Sequence, residues 1–329
     1  MITVLKPGLL TTVQDLGRPG YQQYGIVVGG ALDPFAARAA NLIVGNEDHA
    51  AVLEMAQTGP ELRFDTDALV AWSGADFEAH LAAQPLPRDR AVRIAAGQSI
   101  HFGFARSGLR AWLAVAGGVN VPLVLGSRST YRRAGIGGLE GRPLAAGDHL
   151  KLGEPSERSK KLLEGLQAAG RVSAPWTVRP ETLGHPAAAG IVRAMRGPEW
   201  AWFTPEAQRA FFATDWEATK EADRMGVRLQ GPALALLKPR EMISSAVNTG
   251  VVQVPSAGQP IVLLPSRQSV GGYPRLATVA AVDIGRFTQL RPGDKVRFQE
   301  ITVGKAHELY LARERDVSRM RLGLARQAG

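Results

Sequence analysis

The chain has no cysteine, which removes disulfide staples, thiolate nucleophiles and cysteine-ligated metals from its chemistry. Aromatic residues are scarce, at 6%. There is no Lys/Arg-rich tail and no basic repeat interleaved with aromatics, so a net charge of +9 and a pI near 10.1 do not make the pattern of a nucleic-acid binder. Arginines that meet small anions or an acidic partner account for the surplus instead. Long apolar runs are missing as well. The most apolar stretch, residues 109–126, contains Arg110, a glycine pair, Asn120 and Pro122, which suits buried strands and not a membrane span. The opening MITVLKPGLL has one lysine and a proline-broken apolar run, unlike a secretory signal. Nucleotide and hydrolase signatures are absent: there is no GxxxxGK(S/T) and no GxSxG elbow, and residues 135–140 fail GxGxxG because Glu140 stands at the last glycine. His49, His80, His101, His149, His185 and His307 lack metal-ligand spacing, so no metal site is expected on this chain. A Met-Lys-Met attachment sequence is also missing, and no covalently attached biotin is expected.

Across 329 residues, 45% are apolar and 21% charged, with 37 glycines and 21 prolines spread in short runs. That distribution reads as a globular, mainly β chain of many strands and turns, long enough for two domains. Residues 1–155 form an N-terminal β-rich lobe and residues 156–176 a charged linker with one short helix. Residues 177–302 form a second lobe, and residues 303–329 a basic helix or tail. Two helices carry start signals: Asp33 as N-cap with Pro34 at the first position and Gly45 as the stop, and Thr204 followed by Pro205. A short pattern recurs at residues 94–102, 144–152 and 290–298: an apolar residue, a glycine turn, then an alternating strand. Gly59-Pro60 and Gly231-Pro232 each look like the opening of a similar strand. Together these echoes suggest two related halves.

The densest chemistry lies in residues 11–33, TTVQDLGRPGYQQYGIVVGGALD. Five glycines, Gly29 and Gly30 among them, surround Gln14, Asp15, Arg18 and Asp33, where tight turns or a binding loop would need them. Three more polar clusters stand beside glycine: Ser127-Arg128-Ser129-Thr130, then Asp223-Arg224-Met225-Gly226, then Ser266-Arg267-Gln268 before Gly271-Gly272-Tyr273. Arginine beside hydroxyls and free backbone N–H groups suits a carboxylate, a phosphate or a carboxyphosphate-like anion. An amide and an acid nearby could orient a ureido or lactam group, donating to its C=O and accepting from its N–H. Each Asp-Arg pair taken alone also fits a structural ion pair at a turn.

The segments TTVQDLGRPGY, GGALDPFAARAANLIVGN, LEMAQTGPELRF, VPLVLGSRST, GRPLAAGD, DRMGVRLQGP, VQVPSAGQPIVLL, GGYP and PGDKVRF together resemble one family. It is the biotin-dependent carboxyltransferase, allophanate hydrolase subunit 2 or KipA-like family, which includes the C subunit of bacterial ATP-dependent 5-oxoprolinase. The resemblance runs in order over about residues 1–300. It implies two cyclophilin-like β-barrel lobes with a few short helices, in a cytoplasmic protein. It further implies two partner proteins, one KipI-like and one LamB/YcsF-like, with ATP and Mg acting at the level of the complex, and a small amide or lactam substrate. It does not imply nucleic acid or membrane. From the polar clusters themselves, the expected catalytic set is Asp15, Arg128, Asp223, Arg224 and Gln268. The substrate-binding set is Gln14, Arg18, Gly29, Gly30, Ser127, Ser129, Gly271, Gly272 and Tyr273. The reaction implied is ATP-dependent opening of 5-oxo-L-proline to L-glutamate. Two alternatives stand beside it: carboxyl transfer to urea or a related amide from a separate biotin carrier, and a non-catalytic regulator that binds a KipI-like kinase inhibitor. The chain departs from the family pattern AD-x-QTTGGYP, with Ser266 replacing the acid and Val270 the second hydroxyl, and Ala222 stands where a serine often precedes DRMG.

Overall fold

Strand Ile2–Lys6 buries Ile2 and Val4 completely and lies between strands Glu61–Phe64 and His149–Leu150. Around it the computed structural model describes residues 1–178 and 190–328. Residues 178–195 read as strands from their sequence; they fall partly outside the described residues, and His185 wholly so. The described residues divide into two compact units. One comprises residues 1–18, 29–178 and 315–328, the other residues 19–28 and 190–314.

The first unit is a nine-stranded sheet whose spine is two long strands, Ala68–Leu81 and Ser99–Val115. They pair antiparallel with register shifts between Gly74 and Ala79; such bulges bend a strand without ending it. The sequence suggests separate strands on either side of Gly108. The structure has one continuous strand, because this glycine's positive φ is absorbed within the ladder. Inward residues alternate to form a core that includes Leu53, Phe64, Trp72, Phe102 and Leu113, and Trp72 meets Phe102 edge-on at 5.1 Å. Helix α1 (Pro34–Val44) has the expected ends. The Asp33 carboxylate accepts from the N–H groups of Phe35 and Ala36, and Gly45 closes the helix in the left-handed region. Residues 156–176 hold helix α2 (Glu157–Ala168), capped by Ser156 and buried through Leu162 and Leu166.

The second unit contains a closed seven-stranded barrel. In order its strands are Ile191–Arg196, Arg275–Val279, Val251–Gln253, Ile261–Leu263, Gly226–Gln230, Asp215–Ala218 and Lys295–Glu300. Neighbours are antiparallel except at the closure, where Ile191–Arg196 and Lys295–Glu300 run parallel. Helix α3 (Pro205–Ala213) starts at the Thr204 cap and brings Phe211 onto Phe298, stacked at 4.4 Å. Helix α4 (Ile284–Gln289) is short, and helix α5 (Val303–Ala325), which begins in this unit, runs for 23 residues within the segment read as a basic helix or tail. Among the described residues no helix is long and apolar enough to cross a membrane.

The recurring sequence pattern is one turn used three times. Gly97, Gly147 and Gly293 all have positive φ. Each donates its N–H to a neighbouring segment, at Phe64 O, Val4 O and Ala218 O, and each turn closes with the next residue donating back three positions. The Gly231-Pro232 reading differs: this pair ends the strand Gly226–Gln230 and opens none. The Gly231 position lies where a Cβ would stand 2.6 Å from the Trp216 ring.

Candidate functional site

In the first unit the strand Leu10–Gln14 delivers Gln14 and Asp15 buried at its end, 0% and 8% exposed. Facing them is a tight turn in which Val124 and Ser127 exchange backbone hydrogen bonds around Leu125 and Gly126, both with positive φ. Asp15 ties the two segments together. Its Oδ1 accepts from Ser127 Oγ at 2.6 Å, Ser129 Oγ at 2.5 Å and the Gly17 N–H at 2.8 Å, and its Oδ2 accepts from the Arg128 N–H at 2.6 Å. A carboxylate holding four donors has little acceptor capacity left, so Asp15 organises the loop. Arg128 directs its guanidinium back along its own segment, donating from Nε to Val121 O at 2.9 Å and from Nη2 to Asn120 Oδ1 at 3.5 Å.

Arg18 lies within this frame, 1% exposed. Its Nη2 donates to Ser129 O and its Nε to Val124 O at 3.4 Å, while Nη1 is buried without a partner among the described residues. Burial pulls the guanidinium below the ordinary arginine value, and the nearby Asp15 charge opposes this without cancelling it. The space it occupies depends on Gly137. At φ +69 a Cβ there would stand 2.1 Å from Ser129 O and 2.7 Å from Arg18 Nη2, so only glycine fits. A Cβ at Gly29 would lie 3.7 Å from Nη1, and one at Gly30 would meet the Gly17 nitrogen at 2.7 Å. This segment is pinned by the Ala31 N–H to Asp15 O at 2.8 Å and by the Leu32 N–H to Glu54 Oε2 at 2.9 Å, an oxygen that also accepts from Trp112 Nε1 at 2.8 Å. Gln14 Nε2 donates to Thr12 Oγ1 at 3.0 Å and Thr130 O at 3.3 Å, and its Oε1 is buried without a partner among the described residues. The cluster therefore holds one unpaired acceptor and one unpaired donor, on side chains bonded to the consecutive carbonyls of Ser129 and Thr130.

The second unit carries the other named residues. Asp223 is exposed and closes a local turn, its Oδ1 accepting from the N–H groups of Met225 at 2.7 Å and Gly226 at 3.1 Å. Arg224 Nε donates to Ser266 Oγ at 3.3 Å, so the serine that replaces the expected acid still meets the arginine. Gln268 Nε2 reaches Gln253 Oε1 at 3.4 Å, and Gln253 Nε2 donates to Tyr273 O at 3.2 Å. A Cβ at Gly271 would stand 2.5 Å from Gln253 Nε2, which explains a glycine there. Gly272 lies on the same loop, followed by Tyr273 at 49% exposed. Sequence reasoning missed Gln253, 1% exposed; a lone amide in an otherwise apolar strand was its signal. It also left Arg267, 4% exposed, out of the site set. Among the described residues no group of three or more His, Cys, Asp or Glu could hold a metal ion.

The chain matches the carboxyltransferase domain, subdomain A and B, over residues 24–300. It is 39% identical over 306 residues to the 5-oxoprolinase C subunit of Escherichia coli, covering 93% of both chains. It is 31% identical over 318 residues to urea amidolyase of Lachancea kluyveri, covering 93% of this chain and 17% of that protein. The crystal structure of K. lactis urea amidolyase superposes with a TM-score of 0.87 at 27% identity, covering 97% of this chain and 20% of that one. The motifs, the β architecture and these matches agree: the chain belongs to the carboxyltransferase domain family defined by subdomains A and B.

Proposed function

We propose that this protein is the C subunit of an ATP-dependent 5-oxoprolinase, which opens the lactam of 5-oxo-L-proline with water to give L-glutamate. The observation that carries the reading is the pair of unpaired buried groups, Gln14 Oε1 and Arg18 Nη1. A lactam presents an N–H donor and a C=O acceptor side by side, and an acceptor with a cationic donor is the complementary set. Gln14 takes the ring N–H and Arg18 an oxygen of the substrate, while Asp15, Ser127 and Ser129 hold both in place. Arg128 is a further anion contact in the first unit; Arg224, beside Ser266, is an anion contact of the second unit, where Asp223, Gln268 and Tyr273 shape the loops. ATP and its Mg belong to the assembled complex, with KipI-like and LamB/YcsF-like proteins as partners. Identity of 39% and 35% to the C subunits of two 5-oxoprolinases supports this choice.

Arg18→Met tests the role of the guanidinium. The substitution takes a donor from each of Ser129 O and Val124 O, at about 1–3 kcal/mol per buried group left unsatisfied, offset by relief of the guanidinium's own desolvation. The variant is expected to fold, checked by circular dichroism, while glutamate release by the assembled complex falls at least tenfold. Wild-type turnover in a folded Arg18→Met complex would refute the assignment. A second reading, carboxyl transfer to an amide, is favoured by the match to urea amidolyase; it requires turnover that depends on bicarbonate and a biotin carrier.

A further inference from the structure

Arginines in the barrel unit commonly sit on carboxylates. Arg193 grips Asp283 through Nη2 at 2.6 Å and Nε at 2.7 Å, and Arg275 grips Glu199 through Nη2 at 2.7 Å and Nε at 2.8 Å. Their side chains are 28% and 21% exposed. Arg267 is more deeply buried, at 4%, and has no acid. Its one side-chain partner among the described residues is a neutral oxygen, Asn248 Oδ1, 3.4 Å from Nη2, and its Nε is buried without a partner. Burial pulls the guanidinium below the ordinary arginine value, and no neighbouring charge opposes the shift.

The surroundings are built to hold this arrangement. Arg267 is fixed by its N–H to Leu264 O at 2.9 Å. Asn248 is carried past it by a short ribbon in which Ser245 pairs with Gly271 and Ala246 with Val270, continued by the Val247 N–H to Ser269 O at 3.1 Å. Asn248 is exposed, so the guanidinium lies one side chain beneath the surface. Its Nε–Nη2 edge is the side that takes two coplanar oxygens, and that edge holds only the long contact to Asn248. With Oδ1 turned toward Nη2, the Asn248 Nδ2 remains as a further donor. One cation and a neutral amide match a monoanion better than a phosphate dianion.

We propose that Arg267, roofed by Asn248, is a binding site for a small carboxylate, held side-on by the guanidinium edge with the Asn248 amide as an additional donor. The site belongs to the second unit and is independent of the lactam reading of Gln14 and Arg18.

Thermal unfolding of the full chain, with sodium acetate or sodium phosphate exchanged for chloride at constant ionic strength, tests it. Acetate is expected to raise the midpoint saturably, phosphate to leave it unchanged, and Arg267→Gln to abolish the acetate response. Asn248→Asp places a carboxylate on the guanidinium without touching the core. It is expected to raise the midpoint by about 2–4 °C in the absence of acetate and to remove the acetate response. An acetate response of full size in Arg267→Gln, or an Asn248→Asp midpoint at or below wild type, would overturn the site. A response to phosphate alone would overturn the carboxylate assignment.

Discussion

Replacing Asp15 by alanine removes an acceptor that four donors share: Ser127 Oγ, Ser129 Oγ and the N–H groups of Gly17 and Arg128. The serine hydroxyls can rotate to other acceptors, but the two backbone N–H groups cannot. Each buried donor left unsatisfied costs about 1–3 kcal/mol. Gly17 and Arg128 are partly exposed, which puts the total in the lower half of the range, about 2–4 kcal/mol. Asp15→Asn keeps the shape but turns one acceptor oxygen into a donor, so its cost should be at least about 1 kcal/mol. Urea unfolding followed by tryptophan fluorescence measures both, since Trp72 and Trp112 lie in the core of the first unit. A change below about 0.5 kcal/mol in Asp15→Ala, within the usual spread for surface substitutions, would refute the view that this carboxylate holds the loop together.

Gly137→Ala forces a methyl group against Ser129 O and Arg18 Nη2. It should destabilise the first unit by about 1–3 kcal/mol, and complexes that still assemble should lose most of their turnover; wild-type activity would disconnect Arg18 from this glycine. Low pH should weaken the barrel unit through Glu199. Burial pushes this carboxyl up, but hydrogen bonds and charge from Arg275 outweigh burial and hold it below its usual 4.5. A depressed acid contributes stability that is complete above the unfolded value and is lost as pH falls through the folded one. The melting midpoint should therefore decline as pH drops below about 4.5, and Glu199→Gln should flatten that decline; an unchanged slope in the variant would contradict the linkage. Ser266→Asp sets a carboxylate beside Arg224 and should add about 0.2–1 kcal/mol as a partly exposed ion pair. A loss of stability in chemical denaturation would show that the serine is required there.

Much of the local structure was legible. Asp33 with Pro34, Thr204 with Pro205 and the three glycine turns specify geometry through their nearest neighbours, and the structure has each of them. Long-range order was harder. Gly108 looks like the end of a strand, yet whether a glycine stops a ladder or bulges within it depends on the partner strand. In the site, Asp15 and Ser129 lie 114 positions apart, and nothing local to either signals that they bond. Sequence adjacency marked Arg224, whose Nε finds Ser266, as readily as Arg18. Burial without a bonded carboxylate is what separates Arg18 and Arg267 from Arg193 and Arg275, and burial belongs to the fold.

The most direct measurement is glutamate release from 5-oxoproline and ATP by this chain mixed with the KipI-like and LamB/YcsF-like proteins proposed as its partners, each protein omitted in turn. Release that disappears when this chain is left out is the expected result. An assembled complex that releases no glutamate, while a homologous complex does so under the same conditions, would contradict the assignment.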